Sequence, residues 1–433
     1  MALHCARTRL AKAVIVAAPH SGSGKTLVTL GLIRALRNAG HHVASAKVGP
    51  DYIDPQFHSG ASGETCVNLD PWAMGPHACK SLLQNDADIT IIEGVMGLFD
   101  GPDGARGSTA DLAEDLGLPV LLVIDCAHQA QSITALVNGF AQHRPAVHIA
   151  GLFLNRIKSD RHAAILRAAL ADCDIPIIGQ LRHNDSFHMP SRHLGLVQAM
   201  ENQSLEDFLE TVAAGVARET FLDSLFQIAA PPANQAEKSS SFLPPLAQTI
   251  AIASDEAFSF VYPHVLSAWA KAGASLRFFS PLANEAPPNA NAVYLPGGYP
   301  ELHAGKLAAN TTFLQGLRSF DGLIYGECGG YMTLGDALTD AHGAGHAMAG
   351  LLPLHTSFAA RKLHLGYRQL TSLGGPFPKH LRGHEFHYAT IVSEGDADPL
   401  FEAQTAKGTA LPAMGLRRGN VMGSFAHIIS AAP

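Results

Sequence analysis

Apolar positions in the first 180 residues gather in short runs rather than in long stripes. Val14–Ala18, Val43–Val48, Ile89–Glu93, Val120–Asp125, Ile149–Asn155 and Ile175–Gln180 are each of strand length. Segments compatible with helix separate most of them: Thr26–Asn38, Ala110–Leu116, Ser132–Gln142 and Arg161–Ala171. Strands that are apolar on both faces and alternate with helices predict a parallel sheet covered on both sides. The rhythm breaks over residues 229–247, where proline, alanine and serine follow no apolar period and predict an extended linker. It restarts with Ile250–Ser254, Leu276–Ser280, Ala292–Leu295 and Leu323–Gly326, with a helix expected at Pro263–Lys271. The expected fold class is α/β in two domains, each a mostly parallel sheet covered by helices. Residues 11–228 form the first, 229–247 the linker and 248–433 the second.

Composition narrows the chemistry. Over 433 residues, 47% are hydrophobic and 15% charged, as in a well-packed enzyme of two domains. A net charge of −7 leaves no basic footprint for nucleic acid. No apolar run approaches the ~20 residues that span a bilayer, and the first ten residues lack the apolar core of a secretory signal. The expectation is therefore a cytoplasmic protein that binds neither nucleic acid nor membrane. Six cysteines are scattered without CxxC spacing, and 23 histidines show no HExxH pattern. A single reactive cysteine is a better reading than a disulfide scaffold or a zinc site.

The strand Val14–Ala18 leads into Ser21-Gly22-Ser23-Gly24-Lys25-Thr26 and then a helix, the context of a phosphate-binding loop. Glycines let backbone N–H groups turn inward around phosphate oxygens. Lys25 is expected on the β/γ-phosphates of ATP and the Thr26 hydroxyl on Mg²⁺. Pro19 stands where the first glycine of the strict motif belongs. Two acidic segments follow the next strands, Lys47 to Pro55 and Glu93 to Gly101, at the strand ends where ligands of open α/β sheets bind. Asp51 and Glu93 are candidate Mg²⁺ ligands, and Lys47 a candidate phosphoryl contact. Asp51, Asp54 and Asp100 also stand beside Pro and Gly as turn formers do. Asn155 is a candidate for the adenine edge or for a helix cap.

In the second half, Leu323-Ile324-Tyr325-Gly326-Glu327-Cys328-Gly329-Gly330-Tyr331 is a buried strand meeting a glycine-rich turn with cysteine at its apex. That pattern is shared with the strand–turn–helix elbow of nucleophilic hydrolases. A helix N-terminus there is expected to lower the thiol pKa. The turn Leu295 to Glu301 offers a backbone N–H, assigned to Gly298, that joins Gly329 as an oxyanion donor. The base candidate is His427, a lone histidine in an apolar segment; His384 and His387 are its rivals.

Together the two sites resemble the cobyrinic acid a,c-diamide synthase family of cobalamin biosynthesis. The resemblance spans about residues 11–430. It rests on Ser-Gly-Ser-Gly-Lys-Thr at 21–26, Lys-Val-Gly-Pro-Asp-Tyr-Ile-Asp-Pro at 47–55 and Glu-Gly-Val-Met-Gly-Leu-Phe-Asp-Gly at 93–101. Pro-Gly-Gly-Tyr-Pro-Glu at 296–301, Gly-Glu-Cys-Gly-Gly-Tyr-Met at 326–332 and Gly-His-Glu-Phe-His-Tyr at 383–388 complete it. The resemblance implies a dethiobiotin-synthetase-like ATP domain joined to a class I glutamine amidotransferase domain. It implies that Cys328 and His427 release ammonia from L-glutamine while ATP activates the a- or c-acetate carboxylate of a corrinoid. Thr26 and Glu93, with Asp51, then hold Mg²⁺, and Asp51, Tyr52, Asp54 and Asp100 border the carboxylate. A homodimer is left open. Triad amidotransferases carry a glutamate two residues after the histidine; here Ile429 stands there, so the orienter of His427 is unassigned. Competing readings are cobyric acid synthase, a relative acting on nickel-sirohydrochlorin, and a P-loop switch ATPase. His20 occupies the place of such switches' signature lysine.

Overall fold

The computed structural model describes residues 11–102, 104–187, 191–192, 195–196, 204–233 and 241–433. The chain divides into two compact units, with the main break between residues 240 and 241 and Pro102–Ala105 grouped with the second.

The first unit is a seven-stranded sheet in the order β3-β2-β4-β1-β5-β6-β7. Its strands are β1 (Lys12–Ala17), β2 (Val43–Val48), β3 (Val67–Leu69), β4 (Ile89–Glu93), β5 (Val120–Asp125), β6 (Ile149–Ile157) and β7 (Ile177–Arg182). Every pairing is parallel. The central strands are buried throughout, because helices cover both faces and leave no face for solvent. The order places β1 between β4 and β5, so the loop after β1 and the acidic segments after β2 and β4 gather at one end of the sheet. The short β3 has no counterpart in the apolar pattern, since Val67-Asn68-Leu69 is too brief to register.

Helix α1 (Lys25–Asn38) lies against the helix Leu205–Arg218. The approach is close at Gly31, where a Cβ would meet Val212 and Val216. One turn further on, Arg34 is buried and donates to the carbonyls of Gly60 and Ala61 at the end of helix α2 (Asp54–Ser62). Its other contacts are Glu206 and Glu210, at 2.8 and 2.9 Å. One guanidinium therefore joins three helices.

The second unit holds a ten-stranded sheet. It begins with β10 (Thr249–Ala253), β11 (Ser275–Phe279), β12 (Ala292–Leu295) and β13 (Leu323–Glu327), numbered after a short ribbon of β8 (Ser191–Arg192) and β9 (Gly195–Leu196). These four are parallel, as is their junction to β22 (Val421–Ser424). Beyond β22 the sheet departs from the mostly parallel expectation. It continues antiparallel through β21 (Ala410–Arg418), β20 (Asp398–Thr405), β17 (His364–Ser372), β18 (His380–His387) and β23 (Ala426–Ala431). Short connections join β17 to β18, β20 to β21 and β21 to β22, and parallel pairing needs a longer crossover. A small sheet of β14 (Ala337–Thr339), β15 (Gly345–Ala347), β16 (Leu354–Ser357) and β19 (Thr390–Glu394) completes the unit.

The described ends of the expected linker are packed rather than loose. Ala230 exchanges two backbone hydrogen bonds with Ala13, and the Ser241 carbonyl accepts from Ala431 N–H. Residues 234–240 lie outside the described residues. Both facts follow from strand edges that offer backbone partners to a passing chain.

Replacing Arg34 with alanine strips the buried Ala61 carbonyl and the half-buried Gly60 carbonyl of their donor and takes the cation from Glu206 and Glu210. The acids are exposed, so the ion-pair contribution is small. The expected loss is about 2–3 kcal/mol, read as a lower urea midpoint. A change below about 0.5 kcal/mol would contradict the three-helix tie.

Candidate functional site

The loop after β1 closes into the start of α1 through Gly22 and Gly24, both with φ above 80°. That backbone is costly for any residue but glycine. A Cβ on Gly24 would also collide with the Asn155 amide. Asn155 donates to the Ser23 carbonyl at 2.9 Å, and its Oδ1 accepts from Arg156 N–H. The following helix is capped by Ser159 instead, so the capping alternative for Asn155 does not hold. Asn155 braces the loop from β6 and also lines a cleft of about 370 Å³ with Leu27, Arg156, Arg182 and Phe187.

The functional side chains of this unit converge on Glu93 at the end of β4. Thr26 Oγ1 donates to Glu93 Oε1 at 2.7 Å, and Lys47 Nζ approaches the same oxygen at 2.8 Å. Lys47 also holds Asp54 at 2.6 Å, and His58 Nε2 lies 2.6 Å from Glu93 Oε2. Burial alone would raise the Glu93 pKa, but Lys47 and His58 outweigh it and hold the carboxyl well below its usual range. Burial likewise opposes the charge on His58, yet Cys66 and Glu93 lift it to about 10. Asp54 is pushed up to about 7 by burial and by neighbouring Asp51. Lys25 reaches the Met96 carbonyl at 2.6 Å, with its pKa lowered by burial.

Several sequence-derived roles change here. Lys47 is buried and held between two carboxylates, Asp54 and Glu93. Asp51 turns Oδ1 onto the N–H groups of Ile53 and Asp54, and Asp100 turns Oδ2 onto Gly97 N–H. Both are turn formers, with a second oxygen for other work. Tyr52 is buried beside them. His58 was missed. A lone histidine in a helix carries no sequence signal.

In the second unit Cys328 sits at the end of β13 with φ 48° and ψ −101°. This is a sparsely populated conformation for a residue with a Cβ. The flanking glycines make room for it. A Cβ on Gly330 would collide with the Leu295 carbonyl, and one on Gly329 would stand 3.1 Å from Gly298 N. The backbones of Gly298 and Gly329 thus face each other across the elbow. Cys328 N–H donates to the Ser424 carbonyl at 2.8 Å. Ser424 ends β22, and three residues later β23 carries His427, paired with His384 of β18. A Cβ on Gly297 would collide with His427 Cε1 and lie 3.3 Å from Cys328 Cβ. Both side chains stand beside that glycine.

The elbow is dry. Burial, then Glu301, pushes the Cys328 thiol up, with only the Gly329 N–H prominent against it. The expected thiolate is therefore not the resting form; the six-residue helix Gly329–Leu334 is outweighed by desolvation. Burial also takes His427 down to about 3, keeping it neutral. The rival His387 is engaged elsewhere. His387 contacts Glu385 at 2.9 Å, and Arg368 approaches Glu385 Oε2 at 2.6 Å. The cluster of His364, Glu385 and His387 has metal-like spacing, but the Arg368 guanidinium already compensates the carboxylate. Glu327, directly before Cys328, lies 3.8 Å from His427 Nδ1. It was overlooked, although a charged residue closing an apolar strand was the signal.

A nucleotide-type loop on one sheet and a cysteine–histidine elbow on another define a class: an amide-forming ligase that draws nitrogen from glutamine. Residues 14–197 match the CobQ/CobB/MinD/ParA nucleotide binding domain, and residues 249–433 the CobB/CobQ-like glutamine amidotransferase domain. The chain is 51% identical over 428 residues to the hydrogenobyrinate a,c-diamide synthase of Brucella anthropi, covering 96% of this chain and 98% of that one. With the enzyme of the same name from Rhizobium meliloti, identity is 52% over 424 residues, with the same coverage. The chain belongs to the family of the hydrogenobyrinate a,c-diamide synthases.

His427 gives a pH test. The unfolded chain takes up its imidazole proton near pH 6.5, whereas the folded protein resists until about 3. Stability from this group is full above pH 6.5 and is lost as pH falls toward 3. Relative to His427→Gln, the wild type should lose roughly 2 kcal/mol between pH 8 and pH 5, measured by urea unfolding. A pH-independent difference would show that the ring is solvated.

Proposed function

We propose that the protein amidates the a- and c-acetate carboxylates of hydrogenobyrinic acid, using ATP and glutamine. Near-full-length identity to enzymes of that name carries the substrate. The placement of both Cys328 and His427 beside Gly297 supports the nitrogen source. In the second domain, the Cys328 sulfur attacks the glutamine side-chain amide while His427 takes the thiol proton. Because both groups rest neutral, transfer accompanies attack rather than preceding it. The oxyanion forms between the N–H groups of Gly298 and Gly329. Collapse releases ammonia, His427 returning the proton, and water then frees glutamate from the thioester.

In the first domain, a carboxylate oxygen of the corrinoid takes the γ-phosphoryl group of ATP, releasing ADP. Ammonia then displaces phosphate to form the amide. Loop residues 21–26 cradle the phosphates, with Lys25 leaving the Met96 carbonyl for the transferring group. Adenine occupies the cleft beside Asn155 and Arg156. Thr26 and Glu93 form an oxygen pair suited to Mg²⁺, with Asp51 as a third candidate; the ion would neutralise phosphate charge. Asp51, Tyr52, Asp54 and Asp100 border the reacting carboxylate. Asp54, with its pKa near 7, is suited to sharing a proton with that neighbour. Use of ATP and glutamine fits residence in the cytoplasm.

The test is an assay with ATP and glutamine against hydrogenobyrinic acid, cobyrinic acid and nickel-sirohydrochlorin, with products weighed by mass spectrometry. Two amides on hydrogenobyrinic acid, made fastest, are expected. Cys328→Ala should stop glutamine-driven synthesis and keep synthesis from ammonium. Preference for either metal-bearing ring, or loss of both activities in the variant, would overturn the reading.

A further inference from the structure

The glutaminase pair lacks the glutamate that usually follows its histidine by two residues, since Ile429 stands there. We propose that Glu327, on the strand that carries the nucleophile, is the positioning carboxylate of His427. The inference rests on the assignment of Cys328 and His427 as the glutaminase pair.

The geometry carries it. β13 pairs in parallel with β22, setting Glu327 opposite Ser424. The chain then passes Phe425 into β23, which returns His427 to the level of Glu327. Glu327 Oε2 lies 3.8 Å from His427 Nδ1, and Oε1 accepts from the N–H of Ile428 at 3.1 Å. One carboxylate therefore holds the backbone beside the histidine and faces its ring. Tyr294 and Tyr325 donate to the two oxygens at 2.8 and 3.0 Å. All three hydrogen-bond partners are donors and favour the anion, while burial outweighs them and lifts the carboxyl to about 7. It is fully buried, where such an arrangement keeps its direction.

With Nδ1 turned to Glu327, Nε2 is the nitrogen left for the thiol, the division of labour of a triad. As the imidazole gains its proton, a charge appears in a dry site, and Glu327 is the near carboxylate able to balance it. Glu385 of β18 is the other carboxylate facing His427. Its oxygens are held by Arg368 and His387, which excludes it from this part. His384 and His387, also on β18, face the ring and disfavour its protonation. The acid of the triad has moved from beyond the histidine to the residue before the nucleophile.

The experiment compares wild type, Glu327→Gln, Glu327→Asp and Cys328→Ala in glutamine-driven and ammonium-driven amidation. Glu327→Gln keeps shape and removes charge. Its glutamine-driven kcat should fall roughly 10²-fold or more, with KM for glutamine changed less than about threefold and the ammonium-driven rate retained. The acidic limb of its kcat/KM profile should move to lower pH, because the imidazolium loses its counter-charge. Glu327→Asp should recover part of the rate. A Glu327→Gln kcat within about threefold of wild type would overturn the proposal. So would equal loss of the ammonium-driven rate, which would make Glu327 a support of the fold. Glutamine-driven activity surviving in Cys328→Ala would instead remove the pair on which the proposal rests.

Discussion

The backbone of Cys328, at φ 48° and ψ −101°, is the constraint around which the second domain is arranged. Such a conformation costs on the order of 1–3 kcal/mol and persists only where the surroundings over-determine it. Here β13 is fixed between two parallel neighbours, β12 and β22. The residue after the strand has no freedom except to turn sharply. Glycines at 297, 298, 329 and 330 then let three chain segments approach where no Cβ fits. Gly383 allows the same on β18, where a side chain would press on the His427 carbonyl and the register shifts by a bulge. The strain aims the thiol, and the sheet supplies the restoring force.

The two sites use charge in opposite ways. Around Glu93 the protein holds its charges ready: Lys47 and His58 face Glu93 and Asp54, all largely withdrawn from water. Mutual attraction offsets the desolvation that each would suffer alone. A phosphate site benefits from such fixed charge, since its ligand arrives charged. At the elbow, burial keeps Cys328 and His427 neutral. A buried thiol without substrate is therefore protected from stray chemistry.

Much of the first domain was legible in the sequence because a parallel sheet writes itself as continuous apolar runs. β1, β2, β4, β5 and β6 all fall on runs read directly from the chain. The antiparallel arm did not show itself. Strands such as His364–Ser372 are half-exposed on both faces and mix charged, polar and apolar residues without an apolar run. Site residues with a backbone signature, Lys25, Thr26 and Cys328, were visible. Lys47 was visible too, but its burial was not, because burial is set by Asp54 and Glu93 arriving from other segments. His58 and Glu327 were hidden for the same reason. The thiol pKa went the other way from expectation, since a six-residue helix cannot offset complete desolvation.

Activation of a carboxylate by ATP in one domain and release of nitrogen from glutamine in the other can be followed by isotopes. Substrate bearing ¹⁸O in its acetate carboxylates, given with ATP and amide-¹⁵N glutamine in unlabelled ammonium buffer, tests both halves at once. One ¹⁸O in each phosphate released and ¹⁵N in each new amide are expected. Phosphate without ¹⁸O, or amide nitrogen drawn from the buffer, would contradict that scheme.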